Sequence, residues 1–211
     1  MDAALIQAKI YAGYAKAALR IGPPHCLYRP GPVLINPIQP ANQLGTLNAS
    51  FNIGGTYSGQ SKSNQLYWQI IVDGSQLAVG DYLVGCETYC VLAMDSLMPP
   101  IALRCTQTLT FSRPLINSLP GEQPYPNPDL DTAYAQGIPG VLSVKKETGR
   151  PAAQLPTDNA LRAFYAAFFY LPDGAVQTRD QVTDENGDNY QVVSAQKGLL
   201  GYEALLELVE A

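Results

Sequence analysis

The sequence predicts a mainly β protein in which an N-terminal α-helix is followed by two small β-barrel or sandwich-like units. Only 15% of the 211 residues are charged, whereas glycine, proline and tyrosine are common, and this composition is typical of turn-rich β proteins. Apolar and polar residues alternate with a period of two in the middle of the chain. Residues 2–21 differ, because their apolar side chains recur at steps of three and four, the period of a helix.

The N-terminal segment, residues 1–22, is predicted to be a helix over residues 2–21. Ile6, Ile10 and Ala17 lie on one narrow apolar stripe, and alanine, a strong helix former, is abundant. Gly22 and the two prolines after it end the helix, since glycine permits a left-handed cap and proline cannot continue the hydrogen-bond ladder. Residues 23–45 contain six prolines and are predicted to form an extended arm.

Residues 46–113 are predicted to form the first β domain. The segment GGTYSGQSKSNQ, residues 54–65, has the composition of a loop between two strands. The clearest strand is 101–112, where apolar and polar residues alternate almost without exception, so that one face is expected to be buried. Three shorter strands are predicted upstream, at residues 66–72, 82–85 and 89–94.

A proline-rich stretch, residues 114–140, is predicted to be a linker to a second β domain at 141–211. Strands are expected at residues 141–146, 164–171, 190–195 and 204–209. The segment LRAFYAAFFYLP is also compatible with a buried helix, because a short apolar run does not reveal its period.

The two β domains show a weak internal duplication. In the first, Asp81 is followed by a strand, a turn, a strand that begins at Tyr89, a connection and a final strand. In the second, Asp180 is followed by the same series, with the Asn186-Gly187 turn and a strand that begins at Tyr190. The spacings nearly match, which indicates a weak duplication of a small β-barrel or sandwich half, with a coincidence of common turn signals as the alternative.

The charge pattern argues against a protein that grips nucleic acid or crosses a membrane. The net charge is −5, and no run of lysine or arginine provides a surface that neutralises phosphates. No apolar run approaches the roughly 20 residues that span a bilayer, and the start lacks a secretory signal. The sequence therefore predicts a soluble protein made in the cytoplasm.

The cysteines and the single histidine favour structural roles. The Cys86 to Cys90 spacing is not the tight knuckle of most zinc sites, and Cys26 and Cys105 stand alone, so ordinary buried thiols are expected, with a disulfide left open. His25 is adjacent to Cys26, but adjacent side chains rarely point at each other as a nucleophile and its base must. No catalytic residue, cofactor or metal site is predicted.

Two further motifs are interpreted as surface features. Residues 184–188 begin like a calcium loop, but glycine stands at the fourth position instead of the sixth, so a hairpin with Asn186-Gly187 at its tip is favoured. Neighbouring carboxylates such as Glu207 and Glu210 are expected to be solvated, although a sugar hydrolase remains an alternative that a zymogram would test. Trp68 is expected to be a core residue.

Three segments resemble structural proteins of tailed bacteriophages. Residues 79–114, VGDYLVGCETYCVLAMDSLMPPIALRCTQTLTFSRP, and the N-terminal ALIQAKIYAGYAKAALRIG with the later YRP resemble proteins encoded near the portal gene. Residues 177–208, QTRDQVTDENGDNYQVVSAQKGLLGYEALLEL, are similar to the closing hairpins of phage head-closure and adaptor barrels.

The resemblance implies a non-enzymatic virion protein of the neck, located in the head-tail connector and surrounding the DNA channel. It implies a ring of about twelve copies that binds the portal and other neck or tail proteins and meets DNA only as the passing genome. A collar decoration or host-surface-binding module is the alternative. Contacts to neighbouring subunits are expected from the helix, the arm and the 54–65 loop, namely Ile6, Tyr11, Tyr14, Arg20, Tyr28, Arg29 and Tyr57.

Overall fold

The computed structural model describes residues 3–52, 66–117, 125–144 and 164–209. The expected loop at 54–65, including Tyr57, therefore lies outside the described residues. The described part is mainly β, as predicted, with one N-terminal helix, a seven-stranded sheet and a closed six-stranded barrel. No helix in these ranges is long and apolar enough to span a bilayer.

The helix and strands follow one another in a simple order, with short connections between most of them. They are α1 Ala3–Ile21, β1 Pro24–Tyr28, β2 Gln43–Asn48, β3 Ser50–Asn52, β4 Tyr67–Ile71, β5 Tyr82–Val84, β6 Thr88–Ala93, β7 Ile101–Cys105, β8 Gln107–Asn117, β9 Tyr125–Val144, β10 Phe164–Phe169, β11 Gln181–Thr183, β12 Asn189–Gly198 and β13 Gly201–Leu208.

The helix ends at the predicted residue for a steric reason. Gly22 donates its backbone N–H to Ala18 O at 2.8 Å, and Asn48 donates its side-chain amide to Gly22 O at 2.8 Å. A Cβ on residue 22 would lie 2.6 Å from the carbonyl carbon of Ala49, so only glycine fits this close approach. The end of the helix is thereby held against the junction between β2 and β3.

The seven-stranded sheet has the order β2-β1-β5-β6-β7-β4-β3, with every pair antiparallel. Its two edge strands, β2 and β3, are separated in sequence by Ala49 alone. The sheet therefore curls until its first and last strands form one nearly continuous segment. The predicted strands at 66–72, 82–85 and 89–94 are confirmed as β4, β5 and β6.

The expectation that residues 23–45 form an extended arm is wrong at both ends. Residues 24–28 are strand β1, and β2 begins at Gln43 and pairs with it. Pro24 is tolerated because it is the first residue of β1, where proline costs least in a ladder. Only the segment between Arg29 and Gln39 remains a connector that contains no strand.

The closed barrel has the strand order β10-β13-β12-β11-β8-β9. The predicted linker at 114–140 is instead largely strand, since residues 114–117 end β8 and residues 125–140 belong to β9. The ladder between β8 and β9 has three register shifts, and Pro114 falls in the one between Arg113 and Leu115. Pro126 and Pro139 lie in regular pairing, opposite Ile116 and Thr108. Proline density was therefore a misleading signal of a break.

The strand predicted at 101–112 is divided between the two sheets. β7 ends at Cys105 and belongs to the first sheet, whereas β8 begins at Gln107 and belongs to the barrel. Thr106, between them, donates its N–H to Gly140 O of β9 at 2.9 Å. β7 buries Leu103 and Cys105 between the two sheets, whereas β8 buries Leu109 and Phe111 inside the barrel. Apolar residues therefore alternate across the junction, and periodicity alone did not reveal the crossing.

Two open alternatives of the second domain are resolved by the structure. Residues 164–169 of the segment LRAFYAAFFYLP form strand β10, not a helix, while residues 161–163 lie outside the described ranges. Residues 184–188 connect β11 to β12 as the favoured hairpin, with Gly187 at φ 89°. The buried Asp184 carboxylate accepts the N–H groups of Asn186 at 2.9 Å and Asp188 at 3.0 Å, so it caps this turn.

The two sheets repeat one another residue by residue. β5, β6 and β7 of the first correspond to β11, β12 and β13 of the second, and β1, β2 and β4 correspond to β8, β9 and β10. The β6–β7 ladder has a bulge after Val91, and the β12–β13 ladder has a bulge at the equivalent position, after Val192. Interior residues also coincide: Tyr89 and Tyr190 each meet an aromatic ring of β4 or β10 edge-to-face, Trp68 at 6.3 Å and Tyr165 at 5.1 Å.

The burial of tyrosines and thiols makes the fold sensitive to alkali. Burial raises the pKa of the Cys105 thiol to about 12 and, together with nearby Asp184 and Asp188, raises the pKa of Tyr190 to about 12. Both groups are neutral in the folded state and ionise at lower pH when unfolded, so their contribution is complete below about pH 8 and declines as pH rises towards 12. We expect the urea midpoint to fall between about pH 7 and pH 10.5, and an unchanged midpoint would contradict this.

Candidate assembly surface

The helix α1 is attached to the first sheet by one of its faces. Ala18 is fully buried, and the Tyr11 ring packs directly on Gly74, where an added Cβ would lie 2.5 Å from a ring carbon. Gln7 accepts a hydrogen bond from Leu97 N at 2.6 Å. Residues 7, 11 and 18 recur at helical spacing, so one stripe of α1 is used within the chain.

The opposite face of α1 combines exposed apolar side chains with positive charge. Leu5, Leu19 and Ile21 are 55%, 71% and 60% exposed. Lys9 and Lys16 are also exposed, and α1 contains no acidic residue. Leu5 and Leu19 lie on the same stripe of the helix, and exposed apolar residues of this kind, beside polar ones, are typical of contact surfaces.

The connector between β1 and β2 forms a second exposed apolar surface. Leu34 O accepts the N–H of Gln136 at 2.9 Å, which joins the connector to β9 of the barrel. Val33 and Ile35, on either side of Leu34, are 63% and 42% exposed. They line a groove of about 220 Å³, below the roughly 300 Å³ at which small-molecule sites begin.

Arg29, expected at a subunit contact, forms an ion pair within the chain and remains partly exposed. Its guanidinium donates two hydrogen bonds to the buried Asp81 carboxylate, from Nε at 2.8 Å and Nη2 at 2.7 Å. Asp81 also accepts the N–H of Ala78 at 2.7 Å. This bidentate pair fixes the turn before β5 to the end of β1.

The barrel contains the same ion pair at the equivalent position. Arg113 Nε and Nη2 each donate to the buried Asp180 at 2.9 Å, and Gln177 N donates to the same carboxylate at 2.7 Å. Tyr134 donates its hydroxyl to Asp180 at 2.9 Å, and the Arg113 guanidinium lies 4.8 Å from the centre of the Tyr134 ring. We name the two arrangements the first and second Arg–Asp clamps.

The other residues expected at subunit contacts are placed in different ways. Ile6, Tyr14 and Tyr28 are half-buried, and Tyr28 packs at the edge of the core between the two sheets. Arg20 is exposed on α1, as a contact residue must be. The residues that sequence reasoning missed are Leu5, Leu19, Val33 and Ile35, because an exposed leucine or valine is indistinguishable from a core residue in one sequence.

The single histidine is a buried residue of the first sheet. His25 is buried, with Nδ1 3.0 Å from Pro23 O and the ring edge-on to Phe51 at 5.2 Å. It lies on the inner face of the first sheet, at the position that Leu109 occupies in the barrel. Within the described ranges, no three His, Cys, Asp or Glu side chains are grouped as metal ligands. The histidine is thus placed as a core residue.

The four cysteines are free thiols in very different surroundings. Cys86 is exposed and Cys26 is half-buried, whereas Cys90 and Cys105 are buried between the sheets, where burial raises the pKa of both thiols. We expect a thiol reagent at neutral pH to modify Cys86 quickly, Cys26 more slowly, and Cys90 and Cys105 only in denaturant. Peptide mapping checks this order, and rapid labelling of Cys90 in the native protein would contradict it.

Comparison with known proteins identified no similar protein. No family model, no curated protein and no solved structure matches the chain at a significant level.

Proposed function

We propose that this chain is a structural virion protein of the bacteriophage neck, a subunit of the ring that joins the portal to the tail around the DNA channel. The observation that supports it best is a scaffold built from two copies of one small β unit, a seven-stranded sheet and a closed barrel, with an amphipathic helix on its outside. A closed ring of identical subunits needs two unlike contact surfaces on each subunit. The helix and the Val33–Ile35 connector present exposed apolar residues suited to such contacts.

The charge distribution is compatible with a channel that DNA passes without being held. The net charge of −5 gives no general attraction for phosphate, and both clamp arginines, Arg29 and Arg113, are engaged by buried aspartates. The resemblance of residues 79–114 and 177–208 to phage neck proteins supports the same proposal.

The proposal is tested by mixing the purified chain with the portal protein of the same phage. We expect a discrete complex that elutes ahead of either component, with a mass that corresponds to about twelve copies of each chain, if this ring follows the portal's symmetry. Failure to bind the portal or any other head or tail component would overturn the proposal. Binding to host cells by the isolated chain would favour a host-surface-binding module instead.

A further inference from the structure

The outer face of the first sheet is buried by the barrel. Side chains of β5, β6 and β7, namely Tyr82, Cys90, Leu92, Leu103 and Cys105, form one apolar cluster with Val141 of β9. Phe168 and Tyr170, at the end of β10, pack against this cluster, and Tyr67 meets Phe168 edge-to-face at 6.4 Å. The contact thus joins one face of the first unit to a different face of the second.

Because the two units repeat, the contact leaves an equivalent face of the barrel that belongs to none of the buried clusters formed by the described residues. The strand registers place Gln181, Gln191, Val193, Glu207 and Val209 where the first unit has Tyr82, Cys90, Leu92, Leu103 and Cys105. We name these five residues the open barrel face. Val193 and Val209 are 38% and 46% exposed, and the five belong to none of the buried core clusters.

The opposite end of the molecule carries α1. The residues of the first unit that correspond to Val141, Phe168 and Tyr170 are Ser50, Ile71 and Asp73. Next to Asp73, Gly74 receives the Tyr11 ring of α1. The barrel uses Val141, Phe168 and Tyr170 to contact the first sheet. The helix therefore lies at the equivalent end of the first sheet.

The two ends have complementary chemistry. α1 presents Leu5 and Leu19 beside Lys9 and Lys16, with no acidic residue in the helix. The open barrel face presents two valines beside Glu207, and the exposed Glu185 and Asp188 lie in the hairpin next to Asn189, whose carbonyl accepts Val209 N at 2.8 Å. Opposite charges around small apolar patches favour specific but reversible association.

We propose that the open barrel face of one copy binds the α1-bearing end of the next copy. This contact repeats, between chains, the head-to-tail relation that already joins the two units within a chain. The inference rests on the proposed function for its assumption that successive contacts close into a ring. Each chain then contributes two β units, so the ring contains twice as many β units as chains.

The test exchanges charges between the two surfaces in the full-length chain. A helix variant carries Lys9→Glu and Lys16→Glu, and a face variant carries Gln191→Lys and Glu207→Lys. Each alone should elute as a monomer, because like charges then oppose each other across the contact, whereas an equal mixture should recover the wild-type oligomer because every contact pairs opposite charges again. Gln43→Lys, an exposed change in β2 that lies on neither surface, is the control and should keep the wild-type mass.

Thermal unfolding of each variant first establishes that it is folded. Wild-type mass for either variant alone, no recovery in the mixture, or a wild-type chain that is monomeric at every concentration would overturn this inference. The proposed function has a separate readout, since binding to the portal does not depend on the open barrel face. If the chain binds the portal but the charge exchange leaves the oligomer mass unchanged, only the contact between α1 and the open barrel face is rejected.

Discussion

Replacing Phe169 by alanine should lower the free energy of unfolding by about 3–5 kcal/mol, the largest effect expected of any single substitution in the barrel. Phe169 is completely buried, lies 4.7 Å from the Phe111 ring and stacks on Tyr202 at 5.4 Å. Its removal leaves a cavity that the closed barrel cannot collapse to fill, because β10 is held by hydrogen-bond ladders to β9 on one side and to β13 on the other.

Urea unfolding followed by tyrosine fluorescence measures this loss. Val144→Ala is the control, since Val144 is 63% exposed at the end of β9 and should change stability by no more than about 0.5 kcal/mol. A Phe169→Ala protein as stable as the control would show that the barrel interior is not packed as described.

Asp180→Asn should cost about 2–3 kcal/mol, and Asp81→Asn should cost a similar amount. Each aspartate is 1–2% exposed and accepts two hydrogen bonds from an arginine and one from a backbone N–H. Asparagine is neutral and has only one acceptor oxygen, so the arginine loses its charge partner and one of its two acceptors. Arg29 and Arg113 are partly exposed, which lets water replace some of the lost interaction and keeps the cost below that of a fully buried pair.

The two clamps provide a matched pair of variants, because the repeat places them at equivalent positions. Glu185→Gln, an exposed change in the 184–188 hairpin, is the control and should be nearly neutral. A large cost for one aspartate and none for the other would contradict the equivalence of the two units. Tyr134→Phe should weaken the second clamp alone, since its hydroxyl donates only to Asp180.

The sequence supported prediction of the strands whose alternation is undisturbed. β4, β5, β6, β12 and β13 were predicted within a few residues, because each is a short run of strand-forming residues bounded by turn residues, and β12 and β13 also alternate between a buried and a more exposed face. Asp81 and Asp180 also marked the repeat, since the turn that each ends is compact and local. The helix was predicted for the same reason, from a local signal with a clear end at Gly22.

The rest depended on long-range pairing that one sequence does not display. β1 and β9 contain prolines that favour a linker when taken alone, and only their partners β2 and β8 make them strands. Arg29 and Arg113 could not be assigned to their aspartates, which are 52 and 67 residues away in sequence. The exposed leucines of α1 were missed because exposure is a property of the folded molecule.

A cryo-electron microscopy map of the intact phage particle tests the central claim most directly. We expect density for this chain in a closed ring on the particle axis between portal and tail, with two similar β units per subunit and α1 against the open barrel face of a neighbour. A particle that contains no copy of the chain, or copies scattered on the outside of the capsid, would contradict it.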